Sequence, residues 1–439
     1  MTTNGAPTAL PTPSLSTRAL HADHPDHTTH PNYPVAPALS LSTTFRSPHP
    51  HSSDAALLES AMRGEASLDM QDPSFHIYSR YSSSTNLRAE KVLSQIMGAH
   101  ALTYSSGLSA SYAALTFYAP RVVAIRRGYH GVHVGLDVYS RGREVKVIDL
   151  DDDYSAAMEG IDPTSTGKGG LLVWVETPLN PSGEARDLSK YVRLAQAVNA
   201  PVVVDSTFAP PPLQDPFTQG ADMVMHSGTK YFGGHSDLLC GVLAVKDKKS
   251  WDGLWSDRTY LGSTLGSMES YLLLRSLRTL TVRVAKQSAT ATELAKWLHS
   301  LTLPDGPVEE EDEAWGKGKV VGRTTHSSLQ PRTPEPGSKE DPSFDPSTQM
   351  PGGHAPTFAF RTTNPAYATW IPHLTEYFTP ATSLGGVESL LEHRVKSDAK
   401  EDPRVVRVSV GLEDVGDLKA DLRGAFGRVL QMEKEGKLK

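Results

Sequence analysis

Val202-Val203-Val204-Asp205 is followed about twenty residues later by Val224-Met225-His226-Ser227-Gly228-Thr229-Lys230-Tyr231-Phe232-Gly233-Gly234-His235, and the fold turns on this stretch. Each part opens as a continuous apolar run, the pattern of a strand buried on both faces. The first run ends in an acid, the second in a lysine enclosed by hydroxyls and glycines. A lone loop lysine is most simply solvated, and an acid at a strand tip most simply caps the next turn. Placed together at the ends of two apolar strands, they read as a site.

Working outward, the same pattern recurs. Further apolar runs are Ala101-Leu102-Thr103-Tyr104, Val122-Val123-Ala124-Ile125, Val145-Lys146-Val147-Ile148, Leu171-Leu172-Val173-Trp174-Val175 and Val242-Leu243-Ala244-Val245. Helix-like stretches, such as 112–118 and 188–198, lie between several of them. Short apolar strands alternating with helices predict an α/β chain with a mostly parallel, seven-stranded sheet covered on both faces. In such sheets ligands bind beyond the C-terminal strand ends. Glu176, Asp205 and Ser227 all fall there.

An acid and a lysine so placed suit pyridoxal phosphate. The Lys230 amine can form a Schiff base, Asp205 can keep the pyridine nitrogen protonated, and the hydroxyls and backbone N–H groups can take the phosphate. Such a lysine must be kept neutral by burial or by a nearby cation. Ser105-Ser106-Gly107-Leu108-Ser109-Ala110 is a strand–glycine–helix turn with N–H groups that suit a phosphate.

Other candidates are less specific. Glu176-Thr177-Pro178-Leu179-Asn180-Pro181 reads by itself as a rigid surface loop. Tyr78-Ser79-Arg80-Tyr81 precedes a helix, with an arginine suited to phosphate or simply solvated. Arg407 lies inside the apolar run Val405-Val406-Arg407-Val408-Ser409-Val410, where an unpaired charge is costly. It needs either a structural carboxylate or a substrate carboxylate, and the residues leave that choice open. His21, His24, His27 and His30 recur every third residue, but in an arm-like segment they read as solvated or packed, so no metal site is expected. The acidic run Glu309–Glu313 reads as a solvated loop.

Composition bounds the rest. The formal net charge is −7, and no basic stripe interleaves with aromatics, so nucleic-acid binding is not expected. Cys240 is the only cysteine, which excludes an internal disulfide and fits a reducing compartment. Neither a secretory signal nor a long apolar span is evident, and a cytoplasmic protein is expected. The chain divides into a partly disordered arm (1–60), a cofactor-binding large domain (61–265), and a linking helix with a smaller C-terminal α/β domain (266–439). Loop insertions are expected at 303–318 and 330–352. Helices are predicted over 51–70, 85–98, 266–300, 366–378, 387–394 and 414–432, and strands over 320–323, 357–362 and 405–410.

These residues resemble the Cys/Met-metabolism (trans-sulfuration) family of pyridoxal phosphate enzymes, over roughly 18–300 and 353–428. The resemblance is carried by Asp205-Ser-Thr-Phe-Ala, His226-Ser-Gly-Thr-Lys-Tyr-Phe-Gly-Gly-His-Ser-Asp237, Tyr78-Ser-Arg80, Ser106-Gly-Leu, Glu176–Pro181, Ser383-Leu-Gly-Gly-Val-Glu-Ser-Leu390 and Arg407-Val-Ser-Val-Gly-Leu-Glu-Asp414. It implies the aspartate-aminotransferase-like fold type I, with Lys230 carrying the cofactor and Asp205 at the pyridine nitrogen. Gly107, Leu108, Ser227 and Thr229 would hold the phosphate. Tyr78 and Arg80 would reach it from a neighbouring subunit, in a homodimer or homotetramer with shared active sites. Tyr129 would stack on the ring and assist proton transfer, and Asn180 would lie near the phenolic oxygen. Arg407, with Ser383 and Asn180, would bind the α-carboxylate of a small amino-acid substrate.

Departures from the family pattern cluster around the substrate side chain. They are Ser206, Gly228, His130-Gly131-Val132-His133 after Tyr129, Thr382 in place of a common Glu, and Leu384 in place of a Trp frequent in bacterial β-lyases. The resemblance points to γ-replacement on an O-acylhomoserine, as in cystathionine γ-synthase. A cystathionine β- or γ-lyase is the alternative, followed by a γ-substitution enzyme using a non-thiol nucleophile. A silent binding relative ranks last, because Lys230, Asp205 and Arg407 are all present.

Overall fold

The computed structural model describes residues 12–24, 34–162, 168–304, 309–330 and 343–438. Parts of the arm, His27, His30 and much of the 330–352 insertion lie outside these residues.

Seven strands form the larger sheet: β1 (His100–Tyr104), β2 (Val122–Ile125), β3 (Lys146–Ile148), β4 (Leu171–Glu176), β5 (Val202–Asp205), β6 (Met223–Ser227) and β7 (Gly241–Val245). Their order is β1-β7-β6-β5-β4-β2-β3. All neighbours are parallel except β7, which runs antiparallel to both β1 and β6. The runs are continuous because both faces are covered. Val202 and Val204 pack into one apolar layer and Val203 into the other. Each such valine contributes roughly 1.5–3 kcal/mol by leaving water.

The helices are α1 (Leu15–His21), α2 (Ser53–Met62), α3 (Ser84–Met97), α4 (Gly107–Tyr118), α5 (His130–Tyr139), α6 (Tyr154–Ala157), α7 (Leu188–Ala197), α8 (Lys248–Leu261), α9 (Ser267–Leu277), α10 (Leu280–Ser300), α11 (Pro346–Gln349), α12 (Pro365–Leu374) and α13 (Val415–Lys434). Their ends follow capping chemistry. Ser83 and Ser106 accept first-turn N–H bonds at the starts of α3 and α4, and α3 ends at Gly98, whose φ is 58°.

A second, smaller sheet joins β8 (Val321–Thr325), β9 (Thr357–Thr362), β10 (Thr379–Pro380), β11 (Leu390–His393) and β12 (Val405–Ser409) in the order β10-β11-β12-β9-β8. It packs against α10, α12 and α13 through Leu294, Leu298, Phe358, Phe360, Ile371 and Phe426.

Several expectations need correction. Residues 387–394 hold no α-helix: Leu390–His393 pair with β12, because a short mixed stretch with two adjacent leucines takes its form from the strand beside it. The stretch 266–300 is two helices, broken at Arg278-Thr279. There the Thr279 hydroxyl donates to Ser276 O, and Arg278 donates to Ala19 O and Leu20 O, the closing carbonyls of α1. Part of the arm is helical, since Leu15–His21 form α1, whose Ala19 is buried. The acidic run 309–313 is not wholly solvated. Asp312 is buried and accepts bonds from Trp297, Trp315 and Arg423, tying α10 to α13.

Candidate active site

Lys230 lies just beyond the end of β6. Its N–H donates to Ser227 O at 3.0 Å, and Gly234 N–H donates back to Lys230 O at 2.6 Å, closing a tight turn. Gly234 has φ 66°, and a Cβ there would stand 2.0 Å from the Arg283 guanidinium, so the turn requires glycine. The Lys230 amine donates to Ser383 Oγ at 2.8 Å. Burial lowers its pKa to about 8, and the positive charge of Arg407 acts in the same direction. The conditions for a nucleophilic amine are therefore met.

Glu176 and Asp205 end adjacent parallel strands in matching register. Asp205 Oδ1 accepts the Thr207 N–H at 3.0 Å and its hydroxyl at 2.6 Å. Glu176 Oε2 accepts Tyr129 N–H at 2.7 Å, and Oε1 accepts Asn180 N–H at 2.8 Å. Burial pushes both carboxyls upward, and the Asp205 charge raises Glu176 further. The Glu176–Pro181 segment is thus no surface loop, since Glu176, Thr177 and Asn180 are all buried. The sequence does show an acid ending an apolar strand at Glu176, but only the register sets it beside Asp205.

The phosphate-type turn forms at the start of α4. A Cβ on Gly107 would stand 2.9 Å from Ser227 Oγ, so this glycine lets the helix N-terminus meet the end of β6. The first-turn N–H groups of Gly107 and Leu108 have no acceptor within their helix. Ser227 N–H donates to Thr207 Oγ1 at 2.9 Å, linking this turn to Asp205. The Thr229 hydroxyl accepts from Cys240 N–H at 2.9 Å and donates to Cys240 O at 3.2 Å, so it braces the lysine turn against the start of β7.

These residues fit pyridoxal phosphate. Asp205 is buried with only neutral donors from Thr207 bound to it, so a protonated pyridine nitrogen would supply the cation its carboxylate lacks. Gly107, Leu108 and Ser227 offer neutral donors for a phosphate, and Lys230 offers the amine.

From the second sheet come Arg407 and Ser383. The Arg407 guanidinium donates from Nη1 to Asn180 Oδ1 at 3.1 Å and from Nη2 to Ser383 O at 2.8 Å. It also pairs with Glu392 Oε2 at 2.5 Å. Burial pulls its pKa down to about 10, opposed by the Glu392 charge. The structural carboxylate left open by the sequence therefore exists. Ser383 holds φ 87°, a strained backbone for a non-glycine residue and one that accompanies functional sites.

Lys230, Asp205, Asn180, Arg407, Ser383, Ser227, Gly107 and Tyr129 are thus joined by a chain of short contacts. Tyr78 and Arg80 stand apart from it. Arg80 donates to Thr259 O at 3.1 Å, and its guanidinium lies 5.6 Å from the Tyr78 ring. Thr207, Glu392 and Arg394 are site residues that the sequence does not single out, and Glu176 is legible there only as an acid at a strand end, without a role. A cavity of about 640 Å³ adjoins the cluster, lined by Thr229, Asp237, Leu239, Thr382, Ser383 and Glu388 among others.

Elsewhere, His21 and His24 approach through their Nδ1 atoms at 3.2 Å. Among the described residues, no group of three or more His, Cys, Asp or Glu is placed to hold a metal. Also among them, no helix is long and apolar enough to cross a membrane.

Comparison with known proteins agrees with this geometry. The family model described as Cys/Met metabolism PLP-dependent enzyme matches residues 16–304 and 332–427. The chain is 33% identical over 368 residues to the cystathionine gamma-synthase of Mycobacterium bovis, covering 80% of this chain and 86% of that one. It is 28% identical over 373 residues to the cystathionine beta-lyase of Lactococcus lactis subsp. cremoris, covering 81% and 89%. The crystal structure of cystathionine gamma-lyase from yeast superposes with a TM-score of 0.75 at 25% identity, covering 96% of this chain and 100% of that one.

Proposed function

The chain belongs to the Cys/Met metabolism PLP-dependent enzymes, of fold type I, and from that premise we propose that it catalyses γ-replacement on an O-acylhomoserine, with cysteine or a related nucleophile as acceptor. The observation that carries this reading is the Lys230 amine, its pKa lowered to about 8 chiefly by burial and its Nζ 2.8 Å from Ser383 Oγ, a residue that lines a cavity of about 640 Å³. The relative of highest identity named above, a cystathionine gamma-synthase, supports the same choice.

Arg407 orients the substrate α-carboxylate, with Asn180 and Ser383 holding the guanidinium in place. Asp205 would stabilise a protonated pyridine nitrogen, and Tyr129, Gly107, Leu108 and Ser227 would position the ring and phosphate, with Thr229 bracing the lysine turn through Cys240. When bound, pyridoxal phosphate supplies an electron sink for the pair released at Cα. Lys230 removes the Cα proton and serves Cβ from the same position, because one amine held between both carbons can act as base and acid in turn. It takes a Cβ proton as well, and that electron pair expels the acyl group from Cγ as a carboxylate; the nucleophile adds at Cγ of the resulting double bond, giving up its own proton, and protons return to Cβ and Cα through the same amine. Tyr78 and Arg80 act on a neighbouring subunit's site, a reading supported by the exposure of Tyr78 and by the bonding of Arg80 to Thr259 O rather than to any residue of the Lys230 cluster. On this reading the active unit is a homodimer or homotetramer with sites shared between subunits.

Cystathionine cleavage is the second reading, supported by the similarity to a β-lyase and a γ-lyase. One panel separates the two: O-acetyl- or O-succinylhomoserine with cysteine in one arm, and cystathionine alone in the other. Cystathionine formed in the first arm is expected. Pyruvate or 2-oxobutyrate with ammonia, from the second arm only, would replace the synthase reading with the lyase.

A further inference from the structure

Glu392 and Arg407 face each other across β11 and β12 as directly paired residues, and both are buried. Glu392 Oε2 sits 2.5 Å from Arg407 Nη2, and Ser383 O accepts from the same nitrogen at 2.8 Å. A guanidinium grips a carboxylate with two parallel N–H bonds, either across Nη1 and Nη2 or across Nε and Nη2. Both grips use Nη2, the nitrogen already flanked by two oxygens. An incoming carboxylate would also meet the Glu392 charge.

Glu392 has somewhere else to go. Arg394 is buried two residues along the chain, and its Nη1 lies 3.3 Å from Glu392 Oε2 and 3.5 Å from Oε1. Its Nε is buried and has no partner among the described residues. Two guanidiniums therefore share one carboxylate, leaving one positive charge in excess. A substrate carboxylate removes that excess, and the four charges are best satisfied when each arginine ends with one acid. Ser397, which donates to Glu392 Oε1, can follow the side chain.

We propose that Glu392 is a positioning residue that holds Arg407 before substrate enters and passes to Arg394 when a substrate carboxylate takes Arg407. This rests on the reading of Arg407 as the carboxylate site. The consequence is a built-in competitor. Amino acids must displace Glu392 to bind, whereas amines lacking a carboxylate need not.

The test uses holoenzyme and two non-reacting probes, 2-aminoisobutyrate, which has no α-hydrogen, and isopropylamine, its counterpart without the carboxylate. Dissociation constants are read from the change in visible absorbance of the bound cofactor. Glu392→Gln keeps the shape and removes the charge, and should tighten 2-aminoisobutyrate about fivefold while leaving isopropylamine unchanged. Arg394→Gln removes the second acceptor and should weaken 2-aminoisobutyrate by a similar factor. These opposite directions are not expected of a merely structural pair, and either variant decides alone if the other does not fold. Equal changes for both probes, or no change for 2-aminoisobutyrate, would overturn the handover. An Arg407→Lys variant separates the premise: if it keeps the wild-type preference for 2-aminoisobutyrate over isopropylamine, the carboxylate reading of Arg407 fails. If that preference is lost while Glu392→Gln changes nothing, only the handover fails.

Discussion

At the residue scale, burial and charge combine at Lys230. Its ordinary pKa of 10.5 falls to about 8 in the folded chain, chiefly because the ammonium form has lost its water. Between these values the unfolded chain binds a proton that the folded chain does not, so stability rises with pH across that window. The cost of burying the charge is complete below about 8 and disappears above 10.5. In cofactor-free protein, the wild type should gain on Lys230→Met by up to about 2 kcal/mol as pH rises from 8 towards 10, measured by urea unfolding. Lys230→Ala should abolish both turnover and the visible absorbance of the purified protein. A wild type that stays colourless after addition of pyridoxal phosphate would sink the enzyme reading itself.

At the scale of elements, one buried acid just beyond α1 reinforces its attachment to the larger sheet's helical layer, alongside buried Ala19 and the Arg18 bond to Gln95 O. Asp23 is bound by Arg88 at 2.8 Å and by Arg278 at 2.6 Å, and Arg278 also takes the carbonyls that end α1. Burial opposes the Asp23 charge, but the two arginines outweigh it and hold the carboxyl below its usual range. This contribution is present above the ordinary carboxylate pKa and is lost as pH falls through the folded value. Asp23→Ala should cost about 1–3 kcal/mol and speed amide exchange across 15–21, whereas wild-type exchange rates there would show the pair to be dispensable. The break at Arg278 was hidden in the sequence because the leucine periodicity continues on both sides of it. The strand at Leu390–His393 was hidden for another reason. With only Leu390 and Leu391 apolar between Ser389 and Arg394, the stretch carries too little periodicity to mark a strand until β12 offers hydrogen bonds.

At the scale of the whole molecule, the site lies where two sheets meet. The loop 383–386 from the small domain presses on the lysine turn, and Gln287 on α10 holds it by donating to Gly386 O at 2.7 Å and Val410 O at 3.1 Å. Gly385 has φ 80°, and a Cβ there would stand 2.8 Å from Tyr231 N and 2.9 Å from the Lys230 carbonyl carbon. Gly385→Ala must therefore push the loop bearing Ser383 away from the lysine turn, and with it the Ser383 carbonyl that Arg407 holds. The cofactor's candidate contacts come mainly from the larger sheet, so the variant should keep its visible absorbance. Its kcat/KM should fall at least about tenfold, since about 1.4 kcal/mol of lost positioning suffices for that. Unaltered kcat/KM would mean that the two domains hold the substrate independently.

The sequence by itself determined the strands of the larger sheet, because strands covered on both faces must be apolar throughout and so announce themselves locally. It also determined the lysine turn, whose glycines answer to backbone geometry within a few residues. Tertiary structure alone decided what those local features meet. Register set Glu176 beside Asp205, cross-strand pairing set Glu392 against Arg407, and domain contact brought Ser383 to Lys230. Each of these pairs two polar groups from separate elements. Their energy depends on distance and lost water, which no stretch of sequence contains until the chain has folded.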